Sequence, residues 1–174
     1  SDWVSASLRQ RPGLKGMFKK DGTIFHHHGH YIAYGNGGLE GAAPIIWALQ
    51  GTSYSINEKA YNDMKKVMES IQFQCHKEKV PMAFGGRTAN GLTNAGVKAF
   101  KYFALAALEK GDKKISGLYK MMKQTPDDEI DRKIFAEAEI TENAVCDNRS
   151  FPLACAGVHK RENFMAVAKG FSKY

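Results

Sequence analysis

Three histidines at alternate positions, His26, His28 and His30, are the first residues whose type and spacing could do chemistry. On an extended strand they share one face, because side chains alternate. Two of them at i and i+2 could hold one Zn²⁺, but three span roughly 13 Å, too far for one ion with bonds of about 2 Å. A metal site would need a further ligand from Cys75, His76 or His159, and no second ligand pair stands at motif spacing. No metal ligand set and no cofactor are therefore assigned. A metal-dependent binding module through the His26/His28/His30 face stays open as an alternative, as does a pH-dependent contact.

The cysteines offer a second chemistry. Cys75, Cys146 and Cys155 are odd in number and form no CxxC, so a disulfide scaffold is not expected and an intracellular setting is favoured. A thiolate beside an imidazole would be a nucleophile. His30-Tyr31-Ile32-Ala33-Tyr34-Gly35-Asn36-Gly37 resembles the histidine strand of permuted papain-like hydrolases. That likeness implies a hydrolase or acyltransferase using His30 with Cys146 or Cys155, with Asp147 or Asn148 orienting the ring. Against it, Pro152-Leu153-Ala154-Cys155-Ala156 reads as a buried apolar turn, and no pattern before Cys146 marks a nucleophile.

A third candidate is the glycine-rich loop at 84–94, which sets Arg87 among Thr88, Asn90, Thr93 and Asn94. It matches neither GxxxxGK[ST] nor a strand-borne GxGxxG, so it is not a nucleotide fingerprint. Small residues let backbone amides approach an anion, and an arginine can grip it bidentately. Lys98 and Lys101 follow at the start of the next helix, and Tyr102 could stack on an unpaired base.

Charge distribution sharpens this picture. The 174 residues carry 25 Lys+Arg and 18 Asp+Glu, a formal charge of +7, with 43% hydrophobic residues. That composition excludes wholesale disorder, and basicity favours an anionic partner. Residues 82–124 hold eight basic and two acidic residues, a balance of +6, whereas 125–148 hold two and eight, a balance of −6. Signed blocks of this kind suit a polyanion binder that also touches copies of itself, although they equally suit solvated helix faces. No apolar run approaches the roughly 18 residues of a membrane span, so no membrane partner is expected. The chain opens on Ser1 without Met, which suits a processed product or a fragment.

The elements that must position these residues are mostly helices. Asp21-Gly22 predicts the turn of a β-hairpin over Leu14–Tyr34, whose second strand runs from Thr23 to Ile32. Gly35-Asn36-Gly37-Gly38 reads as a break and hinge. A short helix over 44–49 follows, then a longer one capped by Ser55 and Glu58 that places Ala60, Met64, Val67, Met68, Ile71 and Cys75 on one face. Further helices carry Val97, Phe100, Phe103, Ala104, Ala107 and Leu108, then Ile115, Leu118, Tyr119 and Met122, and then Ile130 and Ile134 after a start at Thr125-Pro126. A last amphipathic stretch holds Phe164, Val167 and Phe171. The expected fold class is mainly α: a helical core of about five to six helices with an N-terminal β-hairpin arm. The domains would be an arm at 1–38 and a core at 39–174 with a basic C-terminal segment.

Three stretches carry a further likeness. Ile46-Trp47-Ala48-Leu49-Gln50-Gly51-Thr52-Ser53, Val80-Pro81-Met82-Ala83-Phe84-Gly85-Gly86-Arg87 and Ala95-Gly96-Val97-Lys98-Ala99-Phe100-Lys101-Tyr102-Phe103 resemble, in order, the core of coat (nucleocapsid) proteins of flexuous filamentous plant RNA viruses. The resemblance covers a little over a third of the chain. It departs at Lys101, where the family usually carries an acid, and the histidine-rich hairpin has no counterpart. It implies a helical subunit polymerised around single-stranded RNA, found in the virion or host cytoplasm, with an RNA pocket at Ser53 and Arg87.

The expected function is therefore a structural nucleic-acid-packaging protein rather than an enzyme. It would self-assemble and bind the backbone of single-stranded RNA without sequence choice. Its contacts would be Ser53, Arg87, Thr88, Asn90, Lys98, Lys101 and Tyr102.

Overall fold

The long helix α3 (Glu58–Phe73) shows how the apolar spacing is used. Ala60, Met64, Val67, Met68 and Ile71 are all buried, and Cys75 follows them into the core. Its N-cap is Asn57, whose side chain accepts from the Ala60 N–H at 2.9 Å. Ser55, expected in that role, instead donates to the carbonyls of Leu49 and Thr52. The computed structural model describes residues 2–13, 15–88, 90–91 and 94–171. Leu14, where the hairpin was expected to start, and Thr93 lie outside the described residues.

Seven α-helices among the described residues make the fold mainly α, as expected. Besides α3 they are α1 (Asp2–Ser7), α2 (Ile32–Leu49), α4 (Val97–Glu109), α5 (Lys114–Lys123), α6 (Glu129–Ala136) and α7 (Glu142–Val145). Helices α2 and α4 pack together, α5 packs on α3 and α4, and α6 closes over α5. Phe100, Phe103, Ile115, Tyr119 and Ile134 fill the space between them. None of these helices is long and apolar enough to cross a membrane.

The N-terminal hairpin exists, but its geometry differs from the expectation. Asp21-Gly22 does turn the chain: the Gly22 N–H donates to Lys19 O, and Phe18 bridges Ile24. The chain then turns again at once. Strand β1 (Phe25–His26) pairs antiparallel with β2 (Gly29–His30) around His27-His28. Both turn residues have positive φ, 52° and 64°. A two-residue hairpin of the primed type demands this, and Asn-Gly usually supplies it.

The second break expected, at residues 35–38, is absent, because those glycines lie inside α2. Gly35 is required there by proximity: a Cβ would sit 2.3 Å from Ile24 Cγ2. The helix runs on through Pro44 and forfeits one backbone hydrogen bond in doing so. Beyond α7 the chain leaves the helical pattern. Strands β3 (Asp147–Phe151), β4 (Ala156–Arg161) and β5 (Phe164–Lys169) form an antiparallel sheet in sequence order. Phe164 and Val167 therefore lie on a strand and not on an amphipathic helix.

Two cations of the sheet seat it on the core. Arg149 lies 4.0 Å from the centroid of the Phe73 ring. Lys160 is buried and donates to the carbonyls of Gln72 at 3.0 Å and Cys75 at 2.9 Å, at and just beyond the end of α3. Asp21 reaches across from the hairpin, where its Oδ2 accepts the Leu153 N–H at 3.0 Å.

Candidate active site

The double turn scatters the three histidines. His26 and His28 are exposed, whereas His30 turns inward and is only 8% exposed. Alternation fails because the turn falls inside the expected strand, so the three do not share a face. Among the described residues, no three His, Cys, Asp or Glu side chains converge on a point where a metal ion could be held. His30 is held neutral. Burial, reinforced by the charge of Lys169, pushes its pKa down to about 3. Both of its ring nitrogens are sealed from solvent beside the buried Gln74 side chain.

A different group comes together instead. His26 stacks on Tyr34 at 4.6 Å between centroids, and His27 meets the same ring edge-on at 5.4 Å. Tyr31 lies 4.9 Å from Tyr34. Tyr31 is the N-cap residue of α2 and Tyr34 stands three residues on, so the helical repeat sets both rings on one side. The strained turn aims His27 at them. A non-glycine residue at positive φ costs about 1–3 kcal/mol, and such strain gathers at functional positions.

Arg87 arrives from the 3-10 turn Met82–Phe84 and the loop that follows it. Its backbone N–H donates to the Tyr31 hydroxyl oxygen at 3.3 Å, and its side chain is exposed. Gly86 makes this approach possible. It has φ +60°, and a Cβ there would lie 2.2 Å from Tyr31 Cε2. An exposed imidazole and two phenols thus converge on one open surface, with the backbone of Arg87 at its edge. The set holds a proton acceptor and proton donors, and Arg87 brings a cation that can neutralise a carboxylate.

The other expected contacts lie elsewhere. Thr88 and Asn90 are exposed in the Arg87 loop, Lys98 is exposed on α4, and Ser53 sits in the exposed turn after α2. Lys101 bonds to Asp128 at 2.6 Å and Asp131 at 2.8 Å. Tyr102 packs against Trp47 at 5.5 Å. The +6 and −6 blocks meet inside one chain, through Lys101–Asp128, Lys113–Glu137 and Lys123–Asp127. Cys75 is buried and its thiol is pushed up to about 12 by burial. Cys155 shares a cleft with His30, yet no hydrogen bond joins them.

Packed helices lead into an antiparallel sheet, and an imidazole–phenol cluster stands on the hairpin and the start of α2. Comparison with known proteins gives the chain a family. The family described as "Lyase, catalytic" matches residues 1–129, and the chain belongs to it. The chondroitin sulfate ABC exolyase of Bacteroides thetaiotaomicron is 30% identical over 196 residues, covering 100% of this chain and 19% of that protein. The exolyase of Proteus vulgaris is 27% identical over 179 residues, covering 99% and 18%. The chain thus spans about a fifth of the length of these relatives.

Solved structures agree on the fold. A Paenibacillus xanthan lyase superposes with a TM-score of 0.65 at 16% identity, over 94% of this chain and 18% of that one. A Streptomyces coelicolor A3 chondroitin AC lyase gives 0.57 at 17% identity, over 95% and 27%.

These findings overturn the coat-protein resemblance and what it implied. The family is one of bacterial lyases, so the RNA-packaging function, the capsid and virion assignments and the single-stranded RNA partner fall. The three stretches that carried the likeness are the end of α2, the turn before Arg87 and the start of α4, generic helix and loop patterns. The papain-like alternative falls with it, and so does the metal module, whose histidines point apart.

Sequence reasoning chose Arg87 but passed over His27, Tyr31 and Tyr34. Two signals could have found them. One is Tyr-x-x-Tyr at the start of a helix, and the other is a run of histidines that begins four residues after a DG turn.

Proposed function

We propose that this chain forms the catalytic helical part of a polysaccharide lyase that cleaves a uronate-bearing, anionic polysaccharide by β-elimination. The reading rests on the convergence of His27, Tyr34 and Arg87 around Tyr31, together with the family. Chondroitin sulfate and xanthan, named for the relatives, both contain uronate sugars. In such a sugar the C5 hydrogen lies next to the carboxylate, and the glycosidic oxygen leaves from C4.

Arg87 pairs with the carboxylate, which stabilises the charge that builds on it when the proton departs. His27 removes the C5 proton, because imidazole is the side chain whose ordinary titration lies near neutrality. The C–H electrons form the C4=C5 double bond as the C4–O bond breaks. Tyr34 gives its hydroxyl proton to the leaving oxygen. Tyr31 holds the Arg87 backbone in place, and the net charge of +7 draws a polyanion to the surface.

The test is incubation with chondroitin sulfate and with xanthan, following the ultraviolet absorbance of the new double bond conjugated to the carboxylate. Activity should fall by roughly 10²–10⁴-fold in His27→Ala and in Tyr34→Phe, with unchanged circular dichroism. Cleavage without that absorbance, or full activity in both variants, would refute the reading.

A further inference from the structure

His26 exchanges no proton in the elimination described above, yet the fold sets it against the residue that gives one. Its imidazole lies 4.6 Å from the Tyr34 ring between centroids, with 16° between the two planes. Tyr31 lies 4.9 Å from the same ring at 30°. Tyr34 is therefore in near-parallel contact with two rings, one from strand β1 and one from the N-cap of its own helix.

His27 has the opposite relation to all three. It stands edge-on to His26 at 4.3 Å and 89°, to Tyr34 at 5.4 Å and 82°, and to Tyr31 at 6.5 Å and 86°. Its distances grow in the order His26, Tyr34, Tyr31, which is the order of a stack with Tyr34 in the middle. Three rings thus lie roughly parallel and the fourth crosses them.

The hairpin accounts for this arrangement. In a regular strand His26 and His27 would point to opposite faces. The positive φ of His27, 52°, breaks that alternation, and both rings reach Tyr34. Across the ladder His26 pairs with Gly29, which offers it no side chain. The face of Tyr34 takes that place. Tyr34 itself is 46% exposed, so the core does not fix its side chain. An exposed side chain without such contacts changes rotamer within nanoseconds.

We propose that His26 is a positioning residue, whose stacked ring holds Tyr34 in the rotamer from which its hydroxyl serves the leaving oxygen. A proton donor acts only within hydrogen-bond reach of its acceptor, so time spent in other rotamers is lost to catalysis. A stacked aromatic pair biases such an equilibrium by roughly 2–10-fold. The proposal rests on the lyase reading for the step that it serves, but the stack can be observed in the free protein.

The first measurement is nuclear magnetic resonance of the chain carrying ¹³C-labelled tyrosine, with the Tyr34 signals assigned by their loss in Tyr34→Phe. The ring current of a stacked imidazole displaces those signals upfield. They should move downfield in His26→Leu, which keeps bulk without a flat ring, and return most of the way in His26→Phe. The second measurement is turnover. In His26→Leu kcat should fall roughly 2–10-fold with KM nearly unchanged, and His26→Phe should restore it. In the Tyr34→Phe background His26→Leu should cost nothing further, because the residue it positions no longer has a proton to give.

Tyr34 signals indifferent to His26→Leu overturn the proposal and leave the lyase reading standing wherever the parent chain still eliminates. A loss in His26→Phe as large as in His26→Leu also overturns it, since the ring nitrogens would then be what matters. So does a His26→Leu loss that persists in the Tyr34→Phe background, which would place the effect on His27. Stack-dependent signals in a chain that eliminates no polymer remove the lyase reading, and with it the step that His26 is proposed to serve.

Discussion

The backbone N–H of Arg87 donates to the hydroxyl oxygen of Tyr31 across 3.3 Å, which locks a loop of the core to the N-cap residue of the α2 helix. The two residues are 56 positions apart in sequence, so this one bond ties the backbone of the Arg87 loop to the aromatic group that holds His27 and Tyr34. Gly86 is what permits the contact. A methyl group there would overlap the Tyr31 ring while also straining a positive φ. Gly86→Ala should therefore displace ring or loop by an ångström or more. A misplacement of that size costs on the order of 10²-fold in rate. Steady-state kinetics should show that loss in kcat/KM with the fold intact by circular dichroism. Tyr31→Phe removes only the hydrogen bond, and should cost about 1 kcal/mol, roughly a fivefold loss.

Acid should act through His30. Its pKa is depressed to about 3 in the folded chain by burial and by Lys169, against about 6.5 when unfolded. Below pH 6.5 the unfolded state binds a proton that the folded state refuses. Stability is therefore lost as pH falls from about 6.5 towards 3, and the group contributes nothing to the slope above that window. Urea unfolding across this range should show a steep fall in stability. In His30→Gln, which cannot titrate, the slope between pH 6 and 4 should flatten by several tenths of a kcal/mol per pH unit or more. An unchanged slope would mean that His30 is open to protons in the native state.

Lys101 makes the contrast between a surface charge and a structural one. Sequence spacing reads it as a free cation at a helix start, whereas the fold places it between Asp128 and the buried Asp131. Burial alone would raise the Asp131 carboxyl. Hydrogen bonds from Lys101, the Asp127 N–H and the Tyr119 hydroxyl outweigh it and hold the pKa down, at about 2. Lys101→Met strands that carboxylate and should cost about 3 kcal/mol, because removing one partner leaves a buried charge unpaired. Thermal unfolding should show a Tm lower by on the order of 10 °C. The double variant Lys101→Met with Asp131→Asn should recover part of it.

These cases mark what the sequence made legible. The faces of α3, α4 and α5 were readable because burial follows the helical repeat, and Met64, Phe103 and Ile115 obey it. The caps slipped by two or three residues, from Ser55 to Asn57 and from Thr125 to Asp128, because several side chains in each stretch could cap. Gly35–Gly38 misled because glycine marks close approach as well as flexibility, and only Ile24, brought near by the fold, decides which. The C-terminal sheet was hidden because Phe164 and Val167 are spaced for a helix, while β5 alternates only between exposed and partly buried residues. Arg87 was legible as an exposed cation on a glycine-rich loop. Its partners were not, since His27 and Tyr34 gain meaning only when the double turn folds one onto the other.

The seat of that sheet gives the last test. Lys160 reaches from β4 to the carbonyls of Gln72 and Cys75, beside the Phe73 ring at 5.4 Å. Burial pushes its pKa down to about 8, so at neutral pH it remains protonated and bonds as an ammonium. Its two charge-assisted bonds go to acceptors at and just beyond the end of α3, each contributing about 1.5–3 kcal/mol. Lys160→Met keeps the aliphatic stem and removes the donors. It should destabilise the sheet locally by about 3 kcal/mol and leave the helices folded. Hydrogen exchange should then quicken in residues 156–169 and at the end of α3, but not in α4 or α5. Because Cys155 stands just before β4, the same variant should also loosen the cleft beside it, seen as faster alkylation of Cys155. Uniform acceleration of exchange through α4 and α5 would show instead that sheet and helices unfold as one unit.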